Sequence, residues 1–441
     1  MKFPSNHRLA DALQKMGKLH EKCAVDKWDG WKSYCFDKNA SRIRNLDFEV
    51  TLDEECIQRL KGINGMGNST IVMVKQFLQK GSIDRADAFQ CNKERQAMEI
   101  LTGIHGIGPA KVRTFYTVAP DAWFRLFVLF SMESWWLKKE IMHNNTQAKE
   151  LYHNGVTTIQ ELRSRIAENK AGHFERNQFI GVECYEDFKE QMSRDEVEQI
   201  GKIVEEAIRN EFPPSDATKL EITIMGSYRR RKESCGDADI LITHKDYVEK
   251  IPSEVLGNAV ERLLDDGKMA FHLTFVSGMK LRDENEFHRG GYNLSTDGSK
   301  QPKSRKTRSS YMGVFNSPVV KGRRRRVDIK FYPYRERVFA SIYFTGNGFF
   351  NRSIRLYATR KKGYKLCDQG LTHRQTEERV MEADTEREVF DFLGVEYKEP
   401  HERTGFDDLV IAGGGLVSEE LGDISKGDFF QLERDHDKWI D

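Results

Sequence analysis

The chain of 441 residues has no apolar run of the length that a bilayer span requires. Its first residues, Met1-Lys2-Phe3-Pro4, lack the apolar core of a signal peptide, and no Arg-rich transit peptide is evident. Charged residues make up 32% and mean hydropathy is −0.65, so a soluble protein with no membrane partner is expected. Cysteine is scarce: the seven are odd in number, scattered, and form no C-x-x-C pair. That excludes a disulfide framework and a zinc site on spacing grounds, and suits a reducing compartment. Net charge is also lacking, at only +1. The deficit is local, because residues 404–441 hold ten acidic and three basic side chains, a net of −7 that leaves +8 for the rest. Basic clusters lie at Lys303–Arg308 and Lys321–Arg326. Such runs serve equally as solvated loops, but the second abuts an aspartate described next, where phosphate contact is expected.

What the chain does have is three aspartates in two short patches. Gly226-Ser227-Tyr228-Arg229-Arg230 runs into Cys235-Gly236-Asp237-Ala238-Asp239-Ile240, and Arg325-Arg326-Val327-Asp328-Ile329 follows further on. On a strand, residues i and i+2 share a face, so Asp237 and Asp239 project together while Ala238 and Ile240 face the core. Asp328 sits between two β-branched residues, as a polar residue on a strand does. Alone, the D-A-D doublet fits a solvated strand edge or turn equally well. Three carboxylates on adjacent strands suit hard divalent cations, and paired ions are the usual device for in-line nucleotidyl transfer. The Gly226-Ser227 turn offers N–H and hydroxyl donors to phosphate oxygens, and Arg230 adds charge-assisted ones.

Residues 1–90 read as helical. Leu60-Lys61-Gly62-Ile63-Asn64-Gly65-Met66-Gly67 precedes an amphipathic helix ending at Gly81, and Leu101-Thr102-Gly103-Ile104-His105-Gly106-Ile107-Gly108 repeats the frame. One such turn between helices is commonplace. Two in one frame point to paired helix-hairpin-helix clamps, in which Gly65, Gly67, Gly106 and Gly108 let the backbone approach DNA phosphates. Thr158-Ile159-Gln160-Glu161 has the capping-box pattern for a helix to Ile166. Arg194–Asn210 has helical apolar spacing, strands dominate from Leu220 to Tyr334, and Asp283–Ser310 reads as a loop.

On these motifs the chain resembles the X family of DNA polymerases, nearest in pattern to DNA polymerase beta. The resemblance covers about 1–403, and its motifs are two helix-hairpin-helices, G-S-Y-R-R…G-D-A-D, R-V-D-I and Y-F-T-G-N-G-F-F-N, with no BRCT domain before them. It implies a multidomain α+β chain: an N-terminal helical domain with the first hairpin (1–90), a DNA-binding helical subdomain with the second (91–190), a nucleotidyltransferase palm with a mixed β-sheet (191–335), a small α/β nucleotide-selection subdomain (336–403) and an acidic tail (404–441). By resemblance, Asp237, Asp239 and Asp328 bind two Mg²⁺ (Mn²⁺ can substitute), with Asp328 taking the primer 3′-OH proton. Gly226, Ser227, Arg230 and Gly236 hold the triphosphate. Tyr343, Phe344 and Gly346 wall the sugar against a 2′-OH, Asn351 reaches the base, Arg326 the primer and Arg355 the template. Lys32 and Lys61 contact DNA. Carbonyls of Lys61, Ile63 and Met66, and of Thr102, Ile104 and Ile107, hold a monovalent cation. A buried Tyr-Phe in a strand is the plain alternative for the aromatic pair.

The implied activity is template-directed addition of dNTPs to a primer 3′-OH, filling short gaps in base-excision repair. The implied partners are gapped or nicked duplex DNA, dNTPs and base-excision repair proteins, for a monomer in the nucleus or, alternatively, the mitochondrion. Two rivals stand beside it: a template-independent or end-joining nucleotidyltransferase of the same family, and a DNA-binding scaffold with a vestigial site.

Three departures qualify the resemblance. Met73 stands at the Schiff-base lysine of the family's lyase, Ser69 at a phosphate-binding lysine and Phe36 at a tyrosine, while Lys75 lies on another side of its helix. Lyase activity is therefore expected to be weak or absent. Joining Lys111 to Ala148 restores the family spacing, which makes 112–147 an insertion: an added helical hairpin, a partner-docking element or a retained intron. The acidic tail reads as a solubilising extension or as a competitor of DNA.

Overall fold

The computed structural model describes residues 3–22, 29–63, 65–107, 146–172, 174–279, 309–405 and 408–421. The chain divides into two compact units between Tyr185 and Glu186.

The first unit is helical throughout its described residues: α1 (Pro4–Lys22), α2 (Asp29–Arg44), α3 (Glu54–Lys61), α4 (Asn68–Lys80), α5 (Asp84–Cys91), α6 (Lys93–Thr102), α7 (Thr146–His153), α8 (Ile159–Ala167) and α9 (Arg176–Glu183). Leu9, Leu13, Met16, Ile43, Ile57, Leu60 and Val74 form its buried centre. Local signals set the ends. Gly81 closes α4 with φ +74°, a left-handed cap that a Cβ would disfavour. Thr158 Oγ1 accepts from the Glu161 N–H at 3.1 Å and the Thr158 N–H donates back to Glu161, the expected reciprocal box.

The second unit is built on a mixed sheet of order β2-β4-β7-β6-β5. Its strands are β2 (Leu220–Ile224), β4 (Ala238–His244), β5 (Met269–His272), β6 (Ser309–Asn316) and β7 (Arg324–Phe331). A ribbon of β1 (Met192–Ser193) and β3 (Ser234–Cys235) stands beside it. Among the described residues, only β4 and β7 pair in parallel. Helices α10 (Arg194–Arg209) and α11 (Val255–Asp265) cover one face, through Val197, Ile200, Val204, Leu256, Val260 and Leu263. Ser193 caps α10 and Asn210 ends it, as the apolar spacing predicts. The loop expected over Asp283–Ser310 ends sooner, because Ser309 and Ser310 pair with Phe331 and Lys330; residues 280–308, with the basic cluster Lys303–Arg308, lie outside the described residues.

Beyond the sheet come α12 (Arg337–Thr345), α13 (Gly348–Lys361), a hairpin of β8 (Tyr364–Leu366) and β9 (Leu371–His373), α14 (Glu386–Leu393) and α15 (Val417–Leu421). The opening of the acidic segment is folded. Leu409 and Val417 are fully buried, and the Glu396 N–H donates to the Val410 carbonyl at 2.8 Å. Residues 422–441 lie outside the described residues.

Candidate active site

The parallel pairing of β4 with β7 sets Asp239 directly beside Asp328. Asp237 stands one residue ahead of β4 and two from Asp239. The core side of both strands is apolar, as expected: Ala238, Ile240, Val327 and Ile329 are all buried. The carboxylates therefore project from the opposite face. On β7 that face carries Arg324, Arg326, Asp328 and Lys330, while Arg325 turns to the buried side.

Gly226 has a geometric reason for being glycine. Its φ is +58°, and a Cβ there would collide with Asp239 Oδ2. The Met225 N–H donates to the Asp239 carbonyl at 2.8 Å, tying the turn to the strand. Burial pushes the Asp239 carboxyl well above the usual range, and the charges of Asp237 and Asp328 push further against the opposing Lys330 and Arg326. Burial also raises Asp328, with Lys330 opposing and Asp237 adding. Crowded carboxylates, with the ionised forms of Asp239 and Asp328 disfavoured, are the donor set that a hard divalent cation relieves.

Arg326 and Lys330, from β7, attend the carboxylates. Arg326 Nη2 donates to Asp237 Oδ2 at 2.9 Å. Lys330 Nζ lies 4.0 Å from Asp328 Oδ2 and donates to Ser310 Oγ at 2.8 Å. The sequence reading missed Lys330, although its place two residues after Asp328 carried the signal. The reading of Lys321–Arg326 as one phosphate-facing run is corrected at Arg325. That residue is 4% exposed and clasps Glu196 through Nε at 2.7 Å and Nη2 at 3.3 Å.

Ser227 lies in the helical turn Gly226–Arg229, half-buried, and Gly236 is exposed just before Asp237. Arg230 donates to the Thr345 carbonyl, and Gly346 stands against its guanidinium. Arg229 reaches Glu386 at 2.6 Å, and Arg403 meets the same carboxylate at 2.5 Å. Against burial, which raises it, Arg403, Arg229 and Ser341 hold Glu386 below the usual carboxylate range.

Tyr343 and Phe344 lie in the last turn of α12, which rules out their placement in a strand. Asn351 Nδ2 donates to the Tyr343 carbonyl at 2.7 Å, so its amide braces the aromatic turn. Arg355 lies on the same helix as Asn351, its guanidinium 6.0 Å from the Tyr343 ring centre.

Residues 191–334 match the family model of the DNA polymerase beta palm, and residues 340–404 that of the DNA polymerase beta thumb. The chain carries palm and thumb domains of the DNA polymerase beta kind. DNA polymerase lambda of Arabidopsis thaliana is 26% identical over 407 residues, covering 90% of this chain and 62% of that protein. DNA polymerase lambda of Rattus norvegicus is 29% identical over 384 residues, covering 85% and 53%. The chain thus spans less than two thirds of either relative's length.

Three backbone hydrogen bonds recur in the two G-h-G turns. Gly62 and Gly103 donate to Gln58 and Glu99, Ile63 and Ile104 to Leu60 and Leu101, and Met66 and Ile107 to Ile63 and Ile104. Gly65 and Gly106 have φ of +83° and +87°. The second turn is backed by α9, where Gln178 Nε2 donates to the Gly106 carbonyl at 3.0 Å. Gly67 opens α4, and Lys61 is exposed at the end of α3. Lys32 pairs with Asp29 at 3.3 Å. Asn64, Gly108 and nearly all of 112–147 lie outside the described residues; the chain is described again from Thr146, where α7 begins.

Asp216, His244 and Asp246 also offer donor atoms within 4.8 Å of one another. There the cation is already supplied. Lys219 Nζ lies 2.5 Å from Asp246 and 3.4 Å from Asp216, and the His244 Nδ1 accepts from the Asp246 N–H.

Proposed function

We propose that the chain is a template-directed DNA polymerase that adds dNTPs to a primer 3′-OH, filling short gaps in duplex DNA during base-excision repair. The pairing that sets Asp239 beside Asp328, with Asp237 at the strand's start, carries the reading. Asp237, Asp239 and Asp328 would hold Mg²⁺, or Mn²⁺ in its place. Bound there, the ions would stabilise the entering and leaving oxygens of an in-line displacement that yields extended primer and pyrophosphate.

The remaining roles belong to the chain's own groups. Asp328 accepts the proton of the primer 3′-OH. Ser227, Gly236 and the Gly226 turn hold the triphosphate, and Arg230 exchanges the Thr345 carbonyl for phosphate oxygens. Arg326 likewise leaves Asp237 for the primer backbone. Tyr343, Phe344 and Gly346 wall the sugar, Asn351 addresses the base and Arg355 the template. The hairpin glycines and Lys61 track DNA phosphates, with Lys32 joining them if it releases Asp29. A monovalent cation suits the carbonyls of Lys61, Ile63 and Met66, and those of Thr102, Ile104 and Ile107. Lyase chemistry is not part of the reading. Met73 has no amine and is buried in the helical core that also holds Phe36, and Ser69 is exposed.

The test is single-nucleotide insertion on a one-nucleotide gapped duplex with Mg²⁺. Templated insertion is expected, lost in Asp328→Ala. Extension of an untemplated single strand alone would sink the reading in favour of a terminal transferase. On an abasic substrate, borohydride is expected to trap no adduct; a trapped protein–DNA adduct would restore the lyase.

A further inference from the structure

Phe344, the inner ring of the aromatic pair, takes its support from the strand that carries Asp328. Tyr332 follows β7, and its N–H donates to the Ile242 carbonyl at 3.0 Å, so the ladder with β4 runs on beneath it. Four residues past Asp328, it falls on the same face as Asp328 and Lys330. The Tyr332 ring meets Phe344 edge-on, with centroids 5.6 Å apart and planes at 73°, in a buried patch with Met225, Leu241 and Ala340. Its hydroxyl donates to Asp368, in the turn between β8 and β9. Lys330 Nζ stands 5.6 Å from the centre of the same Phe344 ring. One strand therefore presents a carboxylate and, two and four residues on, two supports for one ring.

We propose that Tyr332 is a positioning residue for sugar selection: pinned by Asp368, it fixes the Phe344 ring relative to Asp328. The inference rests on the polymerase reading, and specifically on Phe344 walling the sugar. An edge-on aromatic contact has a preferred geometry, and a buried hydroxyl–carboxylate hydrogen bond removes the freedom to slide. A ring held this firmly keeps its distance from the 2′ carbon. A ring that can retreat makes room for a hydroxyl there.

The experiment measures kcat/KM for a dNTP and the matching rNTP on the one-nucleotide gap, with the full chain. Tyr332→Phe keeps the ring and removes the hydrogen bond; Tyr332→Leu removes both. The dNTP-to-rNTP ratio is expected to fall about threefold in the first and about tenfold in the second, since small misplacements of positioning groups cost rate steeply. The change should lie mainly in rNTP KM, with dNTP kcat nearly unmoved. Combining Tyr332→Phe with Asp368→Ala should lower the ratio no further than Asp368→Ala does. Should Tyr332→Leu fail to fold, Tyr332→Phe still decides. An unchanged ratio, or equal losses for both nucleotides, would overturn the proposal. The same ratio is read from equilibrium binding of the two nucleotides to a gapped complex with a dideoxy-terminated primer. A chain that inserted nothing would count against the polymerase reading, and the binding ratio would still judge this one.

Discussion

Asp239 stands under a heavy electrostatic load. It is hemmed in by Gly226 and flanked by two like charges, so its ionised form is held at a cost that the folded palm carries without metal. Asp239→Asn keeps the shape and removes the charge. In chelator the variant is expected to be more stable, on the order of 1 kcal/mol by urea unfolding, as is common where function strains a site. Folded Asp239 binds its proton more tightly than it does unfolded, so its penalty grows as pH rises from the ordinary carboxylate range through the raised value. The gap between variant and parent should therefore close on acidification. A variant no more stable than the parent at neutral pH would contradict this account. That three aspartates lie on strands with apolar neighbours was legible in their spacing. That Asp239 bears the load was not, because its neighbours come from a second strand and a preceding turn.

At the scale of elements, β7 is the instructive one. Its arginine run reads in sequence as one basic patch, but a strand deals alternate side chains to opposite faces. Arg325 goes inward to a buried ion pair, and Arg326 outward to Asp237. The two should separate cleanly by experiment. Arg325→Met leaves Glu196 buried without its partner and is expected to cost about 3–5 kcal/mol. Arg326→Gln should leave the melting temperature near the parent's and reduce the slope of log K against log salt for gapped DNA by about one unit. Equal slopes in parent and Arg326→Gln would remove Arg326 from the DNA contacts. The alternation was open to sequence reading; the identity of Glu196 as the inward partner was not. The α12 turn shows the reverse, since Tyr343 and Phe344 carry no pattern that tells a helix from a strand over so short a stretch.

For the whole molecule, two units each hold their own core, and the second extends past the end of the thumb match. Leu409 and Val417 are buried, the Val417 N–H donates to the Leu409 carbonyl at 3.0 Å, and Asn347 Nδ2 donates to the Thr404 carbonyl at 2.6 Å. A chain ended at Arg403 loses these groups. It is expected to unfold its second unit at lower urea, by about 2–4 kcal/mol for the lost apolar burial, while the helical unit's transition stays put. Unchanged unfolding of the second unit would show 404–421 to be dispensable.

Short-range physics was written into the sequence. The capping box at Thr158, the glycines at Gly65 and Gly106, the left-handed cap at Gly81 and the face shared by Asp237 and Asp239 all depend on residues a few positions apart. Tertiary structure alone chose the distant partners: Asp328 for Asp239, Glu196 for Arg325, Thr345 for Arg230 and Asp368 for Tyr332. A chain with 70 basic and 69 acidic side chains offers too many equivalent pairings for sequence to rank. Packing settles them, because strand register and buried contacts leave each charged or hydroxyl group only the partner that the fold brings within reach.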